Sequence, residues 1–143
     1  MKAKKLEDNF EYDFDLYGLI SSVKGFKLAW SINQSLLIEL VNIPDIELVL
    51  RDNRRQNVIT YEHKTANLTI MLLHNRTKDL SGSDSGFFLP EMNKIDYFLR
   101  IDGDIYPSNA TEVLEKLRQL PTIEYAMRID VKKLKNKENL ILY

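Results

Sequence analysis

Few side chains in this chain are of the types that move protons or hold ions, and their spacing decides what they can do. There are two histidines, His63 and His74. They fall on neighbouring alternating runs and could face each other, but no His-x-His or Glu-x-x-His spacing accompanies them, so no metal site is expected. Glu91 and Asp96 stand five residues apart, just after Pro90 and just before Tyr97. Two carboxylates in opposed environments split their pKa values and can serve as acid and base. With a proline leading in, this pair need not face one another. The competing expectation is that each carboxylate fixes backbone, Glu91 taking N–H groups of the turn after Pro90 and Asp96 pairing with an arginine or capping a neighbouring segment. There is no Gly-x-Ser-x-Gly elbow and no glycine-rich phosphate loop. The chain has no cysteine, which removes disulfides, thiolate zinc sites and cysteine nucleophiles together. No residue is therefore assigned a catalytic role, and no cofactor or metal is expected. Pro90, Glu91, Asp96 and Tyr97 are the candidate binding residues.

The elements around these residues follow from periodicity. Phe10, Tyr12, Phe14 and Leu16 alternate with Glu11, Asp13, Asp15 and Tyr17, which predicts a half-buried strand whose acidic face is a solvated edge. Its carboxylates would lie about 7 Å apart along one face, too spread to curl around an ion. After the turn Ser21–Gly25, apolar residues at Phe26, Ala29, Trp30, Ile32, Leu36 and Leu37 predict a helix to about Ile38. Trp30, the only tryptophan, is expected as a core anchor rather than a stacking platform for a ligand. Three short alternating runs follow, around Ile46–Leu50, Ile59–His63 and Leu68–His74. Their polar connectors predict an antiparallel meander with one face on the core and the other solvated. The span 75–86, ending in Ser81-Gly82-Ser83-Asp84-Ser85-Gly86, reads as a flexible loop. Ile95, Tyr97, Leu99 and Ile101 predict a strand. Asn109 caps the helix after it, with Glu112 at the capping-box spacing, and Pro121 ends that helix. Ile123, Tyr125, Met127 and Ile129 predict the last strand, completing a right-handed β-α-β unit.

The stretch Leu89-Pro90-Glu91-x-x-x-Ile95-Asp96-Tyr97 resembles the signature of the IPExxxVDY family, small bacterial proteins from Bacteroidetes. Leu89 stands for isoleucine and Ile95 for valine, both swaps of similar apolar size. Glu11-Tyr12-Asp13-Phe14, Leu28-Ala29-Trp30 and Lys137-Glu138-Asn139-Leu140-Ile141 are similar too, so the resemblance spans nearly the whole chain. It implies a cytoplasmic bacterial protein and carries no chemistry with it.

The fold class expected is α+β: a mostly antiparallel sheet of five to seven strands with two helices on one face, ending in the β-α-β unit, all in one domain over residues 1–143. Hydrophobic content of 44% and charged content of 29% are those of an ordinary globular chain. A net charge of −1 gives no field to draw in nucleic acid, and the Lys132–Lys137 run reads as a solvated face. No apolar run approaches a membrane span. The basic start Met1–Lys5 is followed by Leu6-Glu7-Asp8-Asn9, not by the apolar run of a secretory signal, so a cytoplasmic location is expected. The sequons at Asn67, Asn75 and Asn109 then read as chance. The function expected is a non-catalytic protein-interaction module, with a protein partner or self-association. The alternatives are a small-ligand-binding regulatory domain, which needs a pocket between helix and sheet near Pro90 and Tyr97, and an RNA-binding protein.

Overall fold

The computed structural model describes residues 13–49, 53–105 and 107–141. Residues 1–12, which include the start of the predicted acidic strand, Phe10 to Tyr12, lie outside them. The elements are β1 (Asp15–Ile20), α1 (Gly25–Leu36), β2 (Val41–Val49), β3 (Arg55–Lys64), β4 (Thr69–His74), β5 (Arg76–Lys78), β6 (Asp84–Phe87), β7 (Tyr97–Asp102), α2 (Ala110–Arg118) and β8 (Tyr125–Ile129). Short 3-10 turns occupy Pro90–Met92, Val131–Lys133 and Lys137–Leu140.

The strands form one eight-stranded sheet in the order β6-β5-β3-β4-β7-β1-β8, with β2 paired on β3, and every pairing is antiparallel. The fold is α+β. Within it, β1-α1-β4-β7-α2-β8 has the split β-α-β order, in which β1 lies between the parallel strands β7 and β8. The predicted β-α-β unit is thus present with a strand threaded through its middle. The β2–β3 hairpin is an insertion between α1 and β4. The span 75–86, expected as a loop, is instead β5, a turn and β6. Asp79 holds that turn, its Oδ1 accepting from the Ser81 and Ser83 amides at 2.9 and 3.1 Å. This hairpin takes the strand count past the expected seven.

Both helices lie on one sheet face. Leu28, Ala29, Ile32 and Leu36 of α1, with Val113 and Leu117 of α2, pack on Tyr17, Leu19, Ile70, Leu72, Leu99 and Ala126. The buried Tyr17 hydroxyl donates to the Ala110 carbonyl at the start of α2 (3.3 Å), and burial pushes its pKa up to about 12. Asn109 caps α2 as expected, its side chain accepting from the Glu112 amide at 3.0 Å.

The second sheet face was expected to be solvated, and it is not. Leu16, Met71, Leu73, Phe98 and Ile129 are buried there under Phe88, Leu89, Ile95, Val131 and Leu140. The residues after β8 read as a charged tail in the sequence, yet they return across this face. Arg100 anchors them: its guanidinium stacks over the Phe14 ring at 3.9 Å, binds Asp102 at 2.9 Å and donates to the Leu140 carbonyl. With apolar contacts on both faces, β1, β4 and β7 are central strands. β1 is therefore no solvated edge, and Asp15 at its start pairs with Arg128 at 2.6 Å. β2 is an edge, and Pro44 sits inside it at a register shift between Ile43 and Ile46, where no ladder hydrogen bond is required of it.

Candidate functional site

The four candidate binding residues do not form one site. They belong to a junction between β4 and β7 whose hub is Asn75, a residue marked in the sequence only by its sequon. Asn75 is fully buried at the break between β4 and β5. Its side-chain nitrogen donates to the Met92 and Ile95 carbonyls at 3.0 and 2.7 Å, and its side-chain oxygen accepts from the Leu89 amide at 3.0 Å. Its main chain adds two bonds, to the Phe88 amide (2.7 Å) and the Asp96 carbonyl (2.9 Å). One asparagine thus meets five backbone groups of the bend from Phe88 to Asp96, where no ladder is available.

Each signature residue then has a separate seat. Leu89 is buried under the second face, and Pro90 is exposed at the first position of its 3-10 turn. The Glu91 carboxylate accepts from the Asn136 backbone amide (2.7 Å) and side chain (2.9 Å). Partial burial pushes its pKa up, but the Asn136 bonds outweigh that and hold it below the usual carboxylate value. Ile95 packs over Gly18 of β1, where an added Cβ would come within 3.2 Å of the isoleucine. Asp96 Oδ2 accepts from the Ser21 amide at 2.9 Å, fastening the loop that leads to α1. Glu91 and Asp96 are therefore committed to different backbone segments, one to the tail and one to the β1–α1 loop. Both carboxylates cap distant chain, and neither pairs with an arginine among the described residues.

Asp96 and Tyr97 do reach a cleft, on the helix side. It has a volume of about 520 Å³ and lies between the residues leading into α1 and the ends of β3, β4 and β7. The Tyr97 ring stacks on His74 with centroids 4.8 Å apart, and its hydroxyl donates to the Val23 carbonyl at 3.1 Å. Burial raises Tyr97 to about 12. Burial also lowers His74, helped by Lys78, so its imidazole is neutral near pH 7. Tyr61 and Ile59 line the cleft from β3, and Phe26 from α1. Tyr61 lies against the first turn of the helix because Gly25 has no side chain, a Cβ there falling 3.0 Å from its ring. Pro90 and Glu91 take no part in this cleft. His63 does not meet His74: its Nδ1 accepts from the Glu39 amide at 3.0 Å. Among the described residues no group of three His, Asp or Glu side chains is placed to hold a metal ion.

The second surface feature is the outer side of α1. Trp30, expected in the core, is 64% exposed, and Phe26 one turn earlier is 65% exposed. At about 100° per residue, Leu28, Ala29, Ile32 and Leu36 form one stripe, which places Phe26 and Trp30 on the opposite side. The helix has two apolar faces and buries the one without the aromatics. Leu37, just past its end, is 89% exposed and takes a left-handed conformation (φ 57°, ψ 51°) that leucine adopts at a cost. Its amide and that of Ile38 both donate to the Asn33 carbonyl, while the Asn33 side chain bonds Leu40 at 2.8 and 3.2 Å. This closes the helix and fixes the outward direction of Leu37.

No family model, curated protein or solved structure matches the chain. Among the described residues, no helix is long and apolar enough to cross a membrane.

Proposed function

We propose that this protein is a non-catalytic interaction module that pairs with a second copy of itself through the outer face of α1. The carrying observation is the exposed row Phe26, Trp30 and Leu37. Scattered exposed apolar residues need no explanation, but two large aromatics one turn apart on a helix side, with an exposed leucine just past its end, form the kind of patch that marks a contact surface. Trp is the side chain most enriched among residues that dominate binding energy. Leu37 adds to this, because glycine would end the helix with less strain and an exposed leucine contributes nothing to the monomer. The occupant follows from charge. Lys27 is the only charged residue between Gly25 and Leu36, and the first turn carries no acid and the last no base. A basic or acidic partner finds nothing to match here. A second copy brings the same neutral apolar row, and a two-fold axis lets each row cover the other. The resemblance of the Leu89–Tyr97 stretch to the IPExxxVDY family supports a bacterial, cytoplasmic setting for this role.

Sedimentation equilibrium tests it. At about 50 µM, where micromolar affinity is readily seen, the parent should have twice its chain mass of 16.8 kDa. Trp30→Glu should be monomeric with an unchanged fold, since the side chain is outside the core. A parent that stays monomeric, or a dimer that survives Trp30→Glu, overturns the proposal.

A further inference from the structure

We propose that the cleft at the start of α1 binds a small α-amino acid with an apolar side chain, its ammonium group on Asp96 and its carboxylate beside Lys24. This goes beyond pairing through α1 and does not depend on it. The cleft volume of about 520 Å³ lies within the range of small-molecule sites, roughly 300–1,000 Å³. Asp96 spends one carboxylate oxygen on the Ser21 amide, and among the described residues no cation pairs with it. A partly buried carboxylate in that position is best satisfied by a positive group. His74 does not supply the charge, because burial, Lys78 and Arg76 favour its neutral form against the opposite pull of Asp84 and Asp96. The walls beside Asp96 are aromatic, with Tyr97 backed by His74 and Tyr61 across from them, and aromatic faces favour an ammonium over an anion. Lys24 is exposed at the mouth, where it suits a carboxylate. Val23 and Ile59 give an apolar side chain something to cover.

The test is calorimetric titration of the whole protein with L-phenylalanine and L-leucine, beside phenethylamine, which lacks the carboxylate, and 3-phenylpropionate, which lacks the amine. At least one amino acid should bind below about 10 mM and raise the melting midpoint, while 3-phenylpropionate should not bind. Asp96→Asn keeps an oxygen for the Ser21 amide and removes the charge, so it should weaken the amino acid by about tenfold or more. If Asp96→Asn does not fold, Tyr61→Ala, away from the Ser21 bond, replaces it and should weaken binding likewise. No binding of either amino acid, equal binding of 3-phenylpropionate, or undiminished binding to the folded variant overturns the proposal.

Discussion

Replacing Asn75 should damage this fold more than replacing either signature carboxylate. The side chain makes three hydrogen bonds, at 2.7 to 3.0 Å, to the backbone of Leu89, Met92 and Ile95. Asn75→Ala leaves the Leu89 amide and the Ile95 carbonyl without that partner, with Asn75 and Leu89 fully buried, while the Met92 carbonyl keeps the Ile95 amide. Each unmet buried group costs about 1–3 kcal/mol, and the bend relaxes to recover part of it, so the loss should be about 3–5 kcal/mol. In a domain of this length that lowers the melting midpoint by about 10–20 °C. Asn75→Asp sharpens the reasoning. It keeps the bond from the Leu89 amide but turns an oxygen toward the Met92 and Ile95 carbonyls, so a near-isosteric change should be no milder than alanine. Its loss should shrink in acid, where the carboxyl regains a donor. Urea and thermal melts of the three proteins between neutral and acidic pH read all of this. Asn75→Ala within about 3 °C of the parent would show that the bend holds itself, and Asn75→Asp matching the parent would refute the assignment of donors and acceptors.

Further outcomes follow from the same structure. Leu37→Gly should stabilise the dilute monomer by about 1 kcal/mol, because it relieves the left-handed leucine, while weakening self-association; a lowered midpoint in chemical denaturation would contradict this. Glu91→Ala should cost about 1 kcal/mol at pH 7, two bonds to an ionised group discounted for exposure. Because the folded pKa of Glu91 is depressed, its contribution is complete above the ordinary carboxylate value and lost as pH falls through the folded one, so parent and variant stability curves should converge in acid. His74 is also depressed, so the unfolded chain takes its proton first as pH drops below about 6.5. The parent should then lose stability in that window relative to His74→Phe, which keeps the stack on Tyr97; parallel curves would mean that His74 is not held neutral.

The legible parts of the chain were those where local pattern and tertiary environment agree. The strand at Tyr97–Asp102, the capped helix from Ala110 and the strand at Tyr125–Ile129 follow alternation and helical periodicity closely: Tyr97, Leu99 and Ile101 meet the helices, Val113 and Leu117 form the inner stripe of α2, and Met127 and Ile129 fall together on the second face. α1 was legible as a helix but not in its orientation, because Leu28, Ala29, Ile32 and Leu36 compete with Phe26, Trp30 and Leu37. Aromatic size favoured the wrong face. The β5–β6 hairpin was hidden because its turn is held by Asp79 bonds and its second strand is Asp84-Ser85-Gly86-Phe87, with one apolar residue to show an alternation. Burial of the second face was hidden for a related reason: Val131, Leu134, Leu140 and Ile141 are dispersed among lysines and follow no period. Of the candidate residues, Asp96 and Tyr97 do border a cleft, while Glu91 holds Asn136 and Pro90 is exposed at the start of its turn. Asn75 carried no signal beyond its sequon, and burial of its amide leaves that sequon closed in the folded chain.

The covering of the second face imposes an order on assembly. Everything the helices cover, and the helices themselves, precede Asp130 in the chain. The layer from Val131 to Ile141 comes after all the strands it covers. As the chain leaves the ribosome, Leu16, Met71, Leu73 and Phe98 emerge well before the segment that completes their cover. Until Asn136 reaches Glu91 and Leu140 reaches Arg100, Phe88, Leu89 and Ile95 cover the nascent sheet only in part, and the rest is apolar surface of the sort that holding chaperones recognise and that drives aggregation. The segment 131–141 thus closes a face that the earlier chain leaves partly open. A polar substitution at Leu140 should show itself in cells as chaperone dependence and lowered yield well before it alters the helix-side core.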